Sequence, residues 1–162
     1  MAYSEDICVN LAHVHYAQSR FLEAEHQYQA TLRTAAADRH SHADKMSALC
    51  EYSAMAQFSG KRCDESVRSL LRALHYDPMC LRLWFNVAIV RADTATQIMQ
   101  KSRRTVADIE VASVQLSLAH RLFLFLGSTP LSQAARGAVY DKDQAVRHSR
   151  LCEVRLSLVL RD

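Results

Sequence analysis

The sequence predicts an all-α protein, and three observations support that prediction. The chain of 162 residues contains only 3 Gly and 2 Pro, too few turn residues for the closely spaced strands of a β-sandwich or barrel. Apolar residues recur instead at helical spacing, in short segments separated by brief polar breaks. Hydrophobic residues make up 49% of the chain and charged residues 23%, a composition typical of a folded protein with its own core.

The apolar pattern places these helices one after another along the chain. A polar stretch at 34–43 is expected to separate the second helix from the third. Gly60 suits a left-handed residue just after the third helix, and Pro78 ends the fourth because the residue before a proline avoids the helical region. Gly127 is expected to break the sixth helix. The later helices are expected at about 80–100, at 105–126 and over much of 132–161.

An internal repeat connects these helices. Ala12, Ala54 and Ala88 occupy equivalent positions, and the second interval, 34 residues, is the period of tetratricopeptide repeats. Downstream, Ala24 and Ala119 are each followed four positions later by an aromatic residue, as in the A-x3-F element of that family. The pattern resembles a tetratricopeptide-repeat (TPR) right-handed superhelical solenoid of about three irregular helix pairs plus a long C-terminal helix. The expected units are 4–36, 44–78 and 80–126 within 1–126, followed by a helical extension at 131–162.

Three stretches carry a more specific resemblance. Residues 6–14 (DICVNLAHV), 83–90 (LWFNVAIV) and 116–123 (LSLAHRLF) follow one another with an unusual insertion inside the third repeat. They resemble the late TPR region of the Ctr nine family, the large scaffold subunits of the RNA polymerase II-associated Paf complex. The resemblance extends over nearly the whole chain and is weakest after Pro130.

The resemblance implies a nuclear scaffold without catalytic residues. It implies partners among the Paf complex subunits and RNA polymerase II, and a role in transcription elongation and histone modification. Family members are much longer, so the chain is expected to be partial. In the first helix no polar helix precedes the apolar stripe of Ile7, Leu11 and Val14, although terminal repeats normally present a polar outer face.

The first helix of each pair is expected to line an inner, partner-binding face. None of the residues that family geometry places there is Lys or Arg, so a clamp for a peptide carboxylate is disfavoured. An apolar groove for a partner helix or extended segment is favoured. The alternative, weighed equally, is that these side chains only pack against neighbouring helices. The residues are Val9, His13, Tyr16, Glu51, Met55, Phe58, Phe85, Ile89 and Ala92.

Basic residues offer a second, weaker candidate contact. Lys101, Arg103 and Arg104 form a dense basic run that could meet an acidic partner or phosphate groups, although a solvated helix end is the favoured interpretation. The net charge of +3 is too small to indicate nucleic acid, and direct nucleic-acid binding is not expected. The last predicted helix is also interpreted as solvated, because its basic residues alternate with acidic ones: Arg147, Arg150 and Arg155 with Asp141, Asp143 and Glu153.

Other site chemistries are not expected from the sequence. His13 and His15 point to different sides of a helix, and no further ligand completes a metal pattern around His40 and His42. Catalytic and phosphate-binding motifs are absent from the sequence, so no cofactor or enzyme activity is expected.

The five cysteines lack a Cys-x-x-Cys pair, which favours a reducing compartment. No apolar run approaches 18 residues, so no membrane span is expected. The predicted function is a protein–protein scaffold, nuclear by resemblance. The alternative is a TPR peptide-binding adaptor unrelated to transcription.

Overall fold

The computed structural model describes residues 2–37, 42–129 and 140–159. Seven α-helices and no strand occupy these ranges. The chain divides into two compact units, Met1–Met79 and Cys80–Asp162, and consecutive helices pack against each other within each unit. The division into repeats at 4–36, 44–78 and 80–126 stays a prediction. The helices are α1 (Ala2–Ala17), α2 (Phe21–Ala37), α3 (Ala43–Ser59), α4 (Cys63–Tyr76), α5 (Leu81–Met99), α6 (Val106–Ser128) and α7 (Lys142–Val159).

The first unit is held together where small residues let helices approach closely. Ala12 and Ala24 are fully buried and Ala54 is 1% exposed. Because an alanine side chain ends at Cβ, the α1–α2 and α3–α4 pairs can bring their backbones together at these positions. Ser66 Oγ in α4 donates to the Ala54 carbonyl of α3 across 2.8 Å. Tyr28 is buried beside the α1–α2 contact.

The second unit builds its core around α6. Ala88, Ala119 and Phe123 are fully buried there, and α6 packs against both α5 and α7. Gly127 lies inside the last turn of α6 and does not break the helix, contrary to expectation. A Cβ on Gly127 would lie 3.0 Å from Val146 Cγ2. The glycine therefore permits a close approach of α7 to α6.

Two predicted helix ends are wrong by a few residues. The polar stretch at 34–43 is helical up to Ala37, with Thr34 Oγ1 donating to the Ala30 carbonyl at 3.2 Å. The left-handed residue after α3 is Lys61 (φ 63°), whereas Gly60 has φ −78°. The Arg62 and Lys61 amides bond to the carbonyls of Gln57 and Phe58 respectively. This pattern of a Schellman motif puts the left-handed position one residue later than predicted.

The apolar stripe predicted for the first helix faces solvent. Ile7, Leu11 and Val14 are 65%, 44% and 50% exposed. The side of α1 that contacts the first core instead carries Val9 and Ala12, with Tyr16 one turn further on. Two apolar stripes run along this helix, and helical periodicity alone does not decide which one a neighbouring helix covers.

The last two helices lie where the sequence predicts helices. α7 runs from Lys142 to Val159, inside the predicted segment. Residues 140 and 141 are not helical, and 132–139 and 160–161 lie outside the described residues. α6 is long and apolar enough to cross a membrane by length and composition, with a mean hydropathy of 1.4. Uncharged Ser, Gln and His residues separate its apolar side chains, so the helix contains no uninterrupted apolar run of that length. Leu116 and Phe123 of α6 are buried in the core of the second unit.

Candidate partner-binding surface

In the first unit, the candidate residues of α1 make specific contacts with α2 and α3. His13 is exposed, and its Nδ1 lies 2.7 Å from the Tyr28 hydroxyl. The His13 ring also meets the Tyr52 ring edge-on, with centroids 4.9 Å apart. Tyr16 reaches α3, where its hydroxyl lies 2.9 Å from Ser59 Oγ, and Val9 packs partly buried against the same core. α1 is therefore fixed to both following helices.

The candidate residues of α3 differ strongly in exposure. Glu51 is buried at 3% exposure, Phe58 is half-buried and Met55 is 43% exposed. Among the described candidates of this unit, Met55 and His13 present the most surface. The partner-binding role of the set stays a prediction, with Met55 and His13 as its accessible members.

Burial raises the pKa of the Tyr28 hydroxyl, which lies beside His13. Removal from water raises the pKa of Tyr28 to about 12, with smaller contributions from Tyr52 and Tyr16. A buried phenol resists ionisation because its anion loses hydration. The Tyr28 hydroxyl therefore stays protonated to a higher pH than an ordinary tyrosine.

In the second unit, the candidate residues Phe85 and Ile89 lie against the core. Both are partly buried on it, while Ala92 is 8% exposed. The Phe85 ring centroid lies 5.7 Å from that of Phe123 and 6.2 Å from that of Tyr140. The first turns of α5 are thus engaged with neighbouring aromatic side chains of their own unit.

The basic run lies in the connection between α5 and α6. Lys101 Nζ bonds to Asp108 Oδ1 at 2.7 Å, and Asp108 forms a capping box with Thr105 at the start of α6. Lys101 foremost, and then Thr105, hold the pKa of Asp108 down at about 2. Arg103 and Arg104 are exposed and form no ion pair with a described carboxylate. Lys101 therefore supports the capping box at the start of α6. Arg103 and Arg104 remain available at the surface.

Sequence reasoning missed a polar network at Glu25. This carboxylate is 7% exposed, and its Oε1 accepts hydrogen bonds from Gln57 Nε2 at 2.6 Å and Gln29 Nε2 at 2.7 Å. Arg62 pairs with Glu25 Oε2, and this hydrogen bond is the main cause of the raised pKa of Arg62. The available signal was the position of Glu25 beside Ala24, on the buried side of α2.

The described part of the chain contains no group of three His, Cys, Asp or Glu side chains placed to hold a metal ion. His40 of the second histidine pair lies outside the described residues. Burial raises the pKa of the Cys50 and Cys152 thiols, and no disulfide joins the described cysteines.

The sequence was compared with protein families and with individual known proteins. No protein-family model matches the chain. It is 28% identical over 149 residues to "Protein CTR9 homolog" from Arabidopsis thaliana, a match that covers 91% of this chain. The chain resembles part of a CTR9 homologue. It spans only 13% of the length of that protein. The resemblance predicted from the three sequence stretches is confirmed.

The fold is also found among solved structures. The TPR domain of Sgt2 from Aspergillus fumigatus superposes with a TM-score of 0.58 at 14% identity, covering 98% of this chain and 83% of that one. At this identity the likeness concerns the fold alone. It confirms the predicted all-α, TPR fold class.

Proposed function

We propose that the chain is a non-catalytic protein–protein scaffold of the Ctr nine type. It acts in the nucleus as a subunit of the Paf complex, in RNA polymerase II transcription elongation and histone modification. The observation that carries the proposal is the similarity to a CTR9 homologue over 91% of the chain. The TPR fold supports it, because stacked helix pairs present extended surfaces on which other polypeptides bind.

The mechanism is presentation of a preorganised surface. Contacts between His13 and Tyr28, and between Tyr16 and Ser59, fix α1 against α2 and α3. A partner segment that docks on Met55 and His13 then meets side chains already in place, so binding orders few groups on this side. In the second unit Phe85 and Ile89 supply apolar surface, and Arg103 and Arg104, beside Lys101, supply contacts for acidic partner groups.

Capture from a nuclear extract tests the proposal. The tagged chain is expected to recover Paf complex subunits and RNA polymerase II. Met55→Asp should reduce this recovery without unfolding the protein, because Met55 is 43% exposed. Met79→Asp is the matched control, since Met79 is 73% exposed outside the candidate surface.

One result would contradict the proposal, and a second would change its binding surface. Recovery of chaperone tails or unrelated receptors in place of Paf subunits would favour the peptide-binding adaptor. Equal recovery by the Met55→Asp variant and the parent would remove Met55 from the binding surface.

A further inference from the structure

An apolar stripe runs along the outward side of α7. Leu151, Val154 and Leu158 are 50%, 57% and 56% exposed. Their spacing of three and four residues places them on one side of the helix. The buried residues Ser149 and Cys152 lie on the other side, against the core. At 1.5 Å per residue the stripe is roughly 10 Å long, enough for about two turns of a partner helix.

Three arginines border this stripe: Arg147, Arg150 and Arg155. None of them forms an ion pair with a carboxylate in the described part of the chain. Arg147 Nε donates to the Asp143 carbonyl at 3.3 Å, and an Nη of Arg155 donates to Thr96 Oγ1 at 2.8 Å. A guanidinium has five N–H donors, so each group keeps donors for a partner.

Three acidic residues of the same region, Asp141, Asp143 and Glu153, could pair with these arginines. Asp141 Oδ1 accepts the Gln144 amide at 3.0 Å, at the start of α7. Glu153 lines the groove between α6 and α7 together with Leu124 and Arg150. Asp143 is exposed in the first turn of α7, before the stripe begins. None of these three carboxylates forms an ion pair with Arg147, Arg150 or Arg155, so the arginines beside the stripe keep their charge unpaired.

Apolar surface and charge continue beyond α7 itself. Arg155 and Leu158 also line a groove of about 220 Å³, together with Met99 and Leu116. The second unit, Cys80–Asp162, carries twelve Lys and Arg against seven Asp and Glu. A partner at this face would meet an apolar strip bordered by three arginines, in a unit with an excess of basic residues.

We infer that the outward face of α7 binds an acidic amphipathic helix of a partner protein. The apolar side of such a helix covers Leu151, Val154 and Leu158, and its flanking carboxylates meet the arginines. Complementary charge then sets the orientation and speeds the encounter, while the apolar strip supplies the buried contact. A nucleic-acid backbone would meet the arginines but leave the apolar side chains without a partner. This surface is distinct from the α1 and α3 face and does not depend on the Paf assignment.

A synthetic peptide tests the inference on the full chain. The probe is a labelled helical peptide of roughly 16 residues, about 24 Å long, with a leucine stripe flanked by glutamates. Fluorescence anisotropy is expected to show binding that weakens as salt is added. The same peptide with lysine in place of glutamate should bind at least about tenfold more weakly, a difference of ~1.4 kcal/mol.

Variants locate the site. Arg147→Glu/Arg150→Glu and, separately, Val154→Asp should each weaken binding of the acidic peptide at least about tenfold, because charge or apolar contact is lost. All three positions are exposed, so circular dichroism should match that of the parent. Arg33→Glu/Arg68→Glu, at exposed positions of α2 and α4, is the charge-matched control and should bind as the parent does.

Several results would overturn the inference. Equal binding of the glutamate and lysine peptides would remove the charge argument, and parental binding by Val154→Asp would remove the stripe. Self-association in sedimentation that Val154→Asp abolishes would identify a second copy as the occupant. Displacement of the peptide by a short DNA duplex would identify phosphate as the preferred ligand.

Discussion

Gln57 Nε2 in α3 donates to the buried Glu25 Oε1 in α2 across 2.6 Å. Arg62, just before α4, pairs with the other oxygen of the same carboxylate. Arg62 also donates to Glu65 Oε2 at 3.0 Å. One acidic side chain thus links α2, α3 and the start of α4. A buried carboxylate is tolerated when hydrogen bonds and an ion pair compensate its lost hydration. Removing one member of the network leaves the remaining buried groups without a partner, which destabilises the fold.

Glu25→Ala is expected to lower the free energy of unfolding by about 2–3 kcal/mol, because Gln57 and Arg62 lose their acceptor. Arg62 is partly exposed, which keeps the loss below that of a fully buried pair. Urea unfolding followed by circular dichroism measures the change. Glu23→Ala, in the same helix but exposed, should shift stability by less than about 0.5 kcal/mol. Equal effects of the two variants would show that the network contributes no special stability.

Ala119→Glu is expected to unfold the second unit, because it forces a carboxylate into a fully buried helix contact without a partner. The expected loss is about 3 kcal/mol or more. Trp84, which packs against this core, reports unfolding through its fluorescence. Ala107→Glu, exposed in the first turn of the same helix, should melt as the parent does. Parental melting of the Ala119 variant would refute the placement of this helix contact.

Alkaline pH should weaken the contribution of Tyr28. Burial raises its pKa from 10.0 to about 12, so between these values the unfolded chain releases a proton that the folded chain retains. Stability linked to Tyr28 is complete below pH 10 and is lost as the pH rises through 12. The stability advantage of the parent over Tyr28→Phe should therefore stay level from pH 7 to 9 and shrink above 10. Urea unfolding across this range measures it, and a constant difference up to pH 12 would contradict the assignment.

Much of the fold was predictable from local patterns. Ala12, Ala24, Ala54, Ala88 and Ala119 were identified by their spacing, and all are at most 1% exposed. Small residues at a repeated interval are a strong signal because only they allow close helix approach throughout a stacked array. Gly127 was harder to interpret, since a glycine near a helix end fits both a break and a close contact. Only the position of Val146 distinguishes the two.

The candidate surface was less predictable than the fold. Repeat geometry placed Glu51 and Met55 on the same face, yet one is 3% and the other 43% exposed. The Glu25 network was not predictable from the sequence either, because Gln57 and Arg62 lie more than thirty positions after Glu25 in the sequence. Contacts between distant residues depend on how helices pack, which a single sequence does not state.

Residue order by itself determined the helical class, the repeating alanine contacts and the resemblance to the Ctr nine family. Tertiary structure decided which apolar stripe of α1 faces the core, and which apolar side chains of α7 stay exposed. The physical reason is that helical spacing specifies which side chains share a side of a helix. Only the neighbouring helices determine which side is covered and which remains available for a partner.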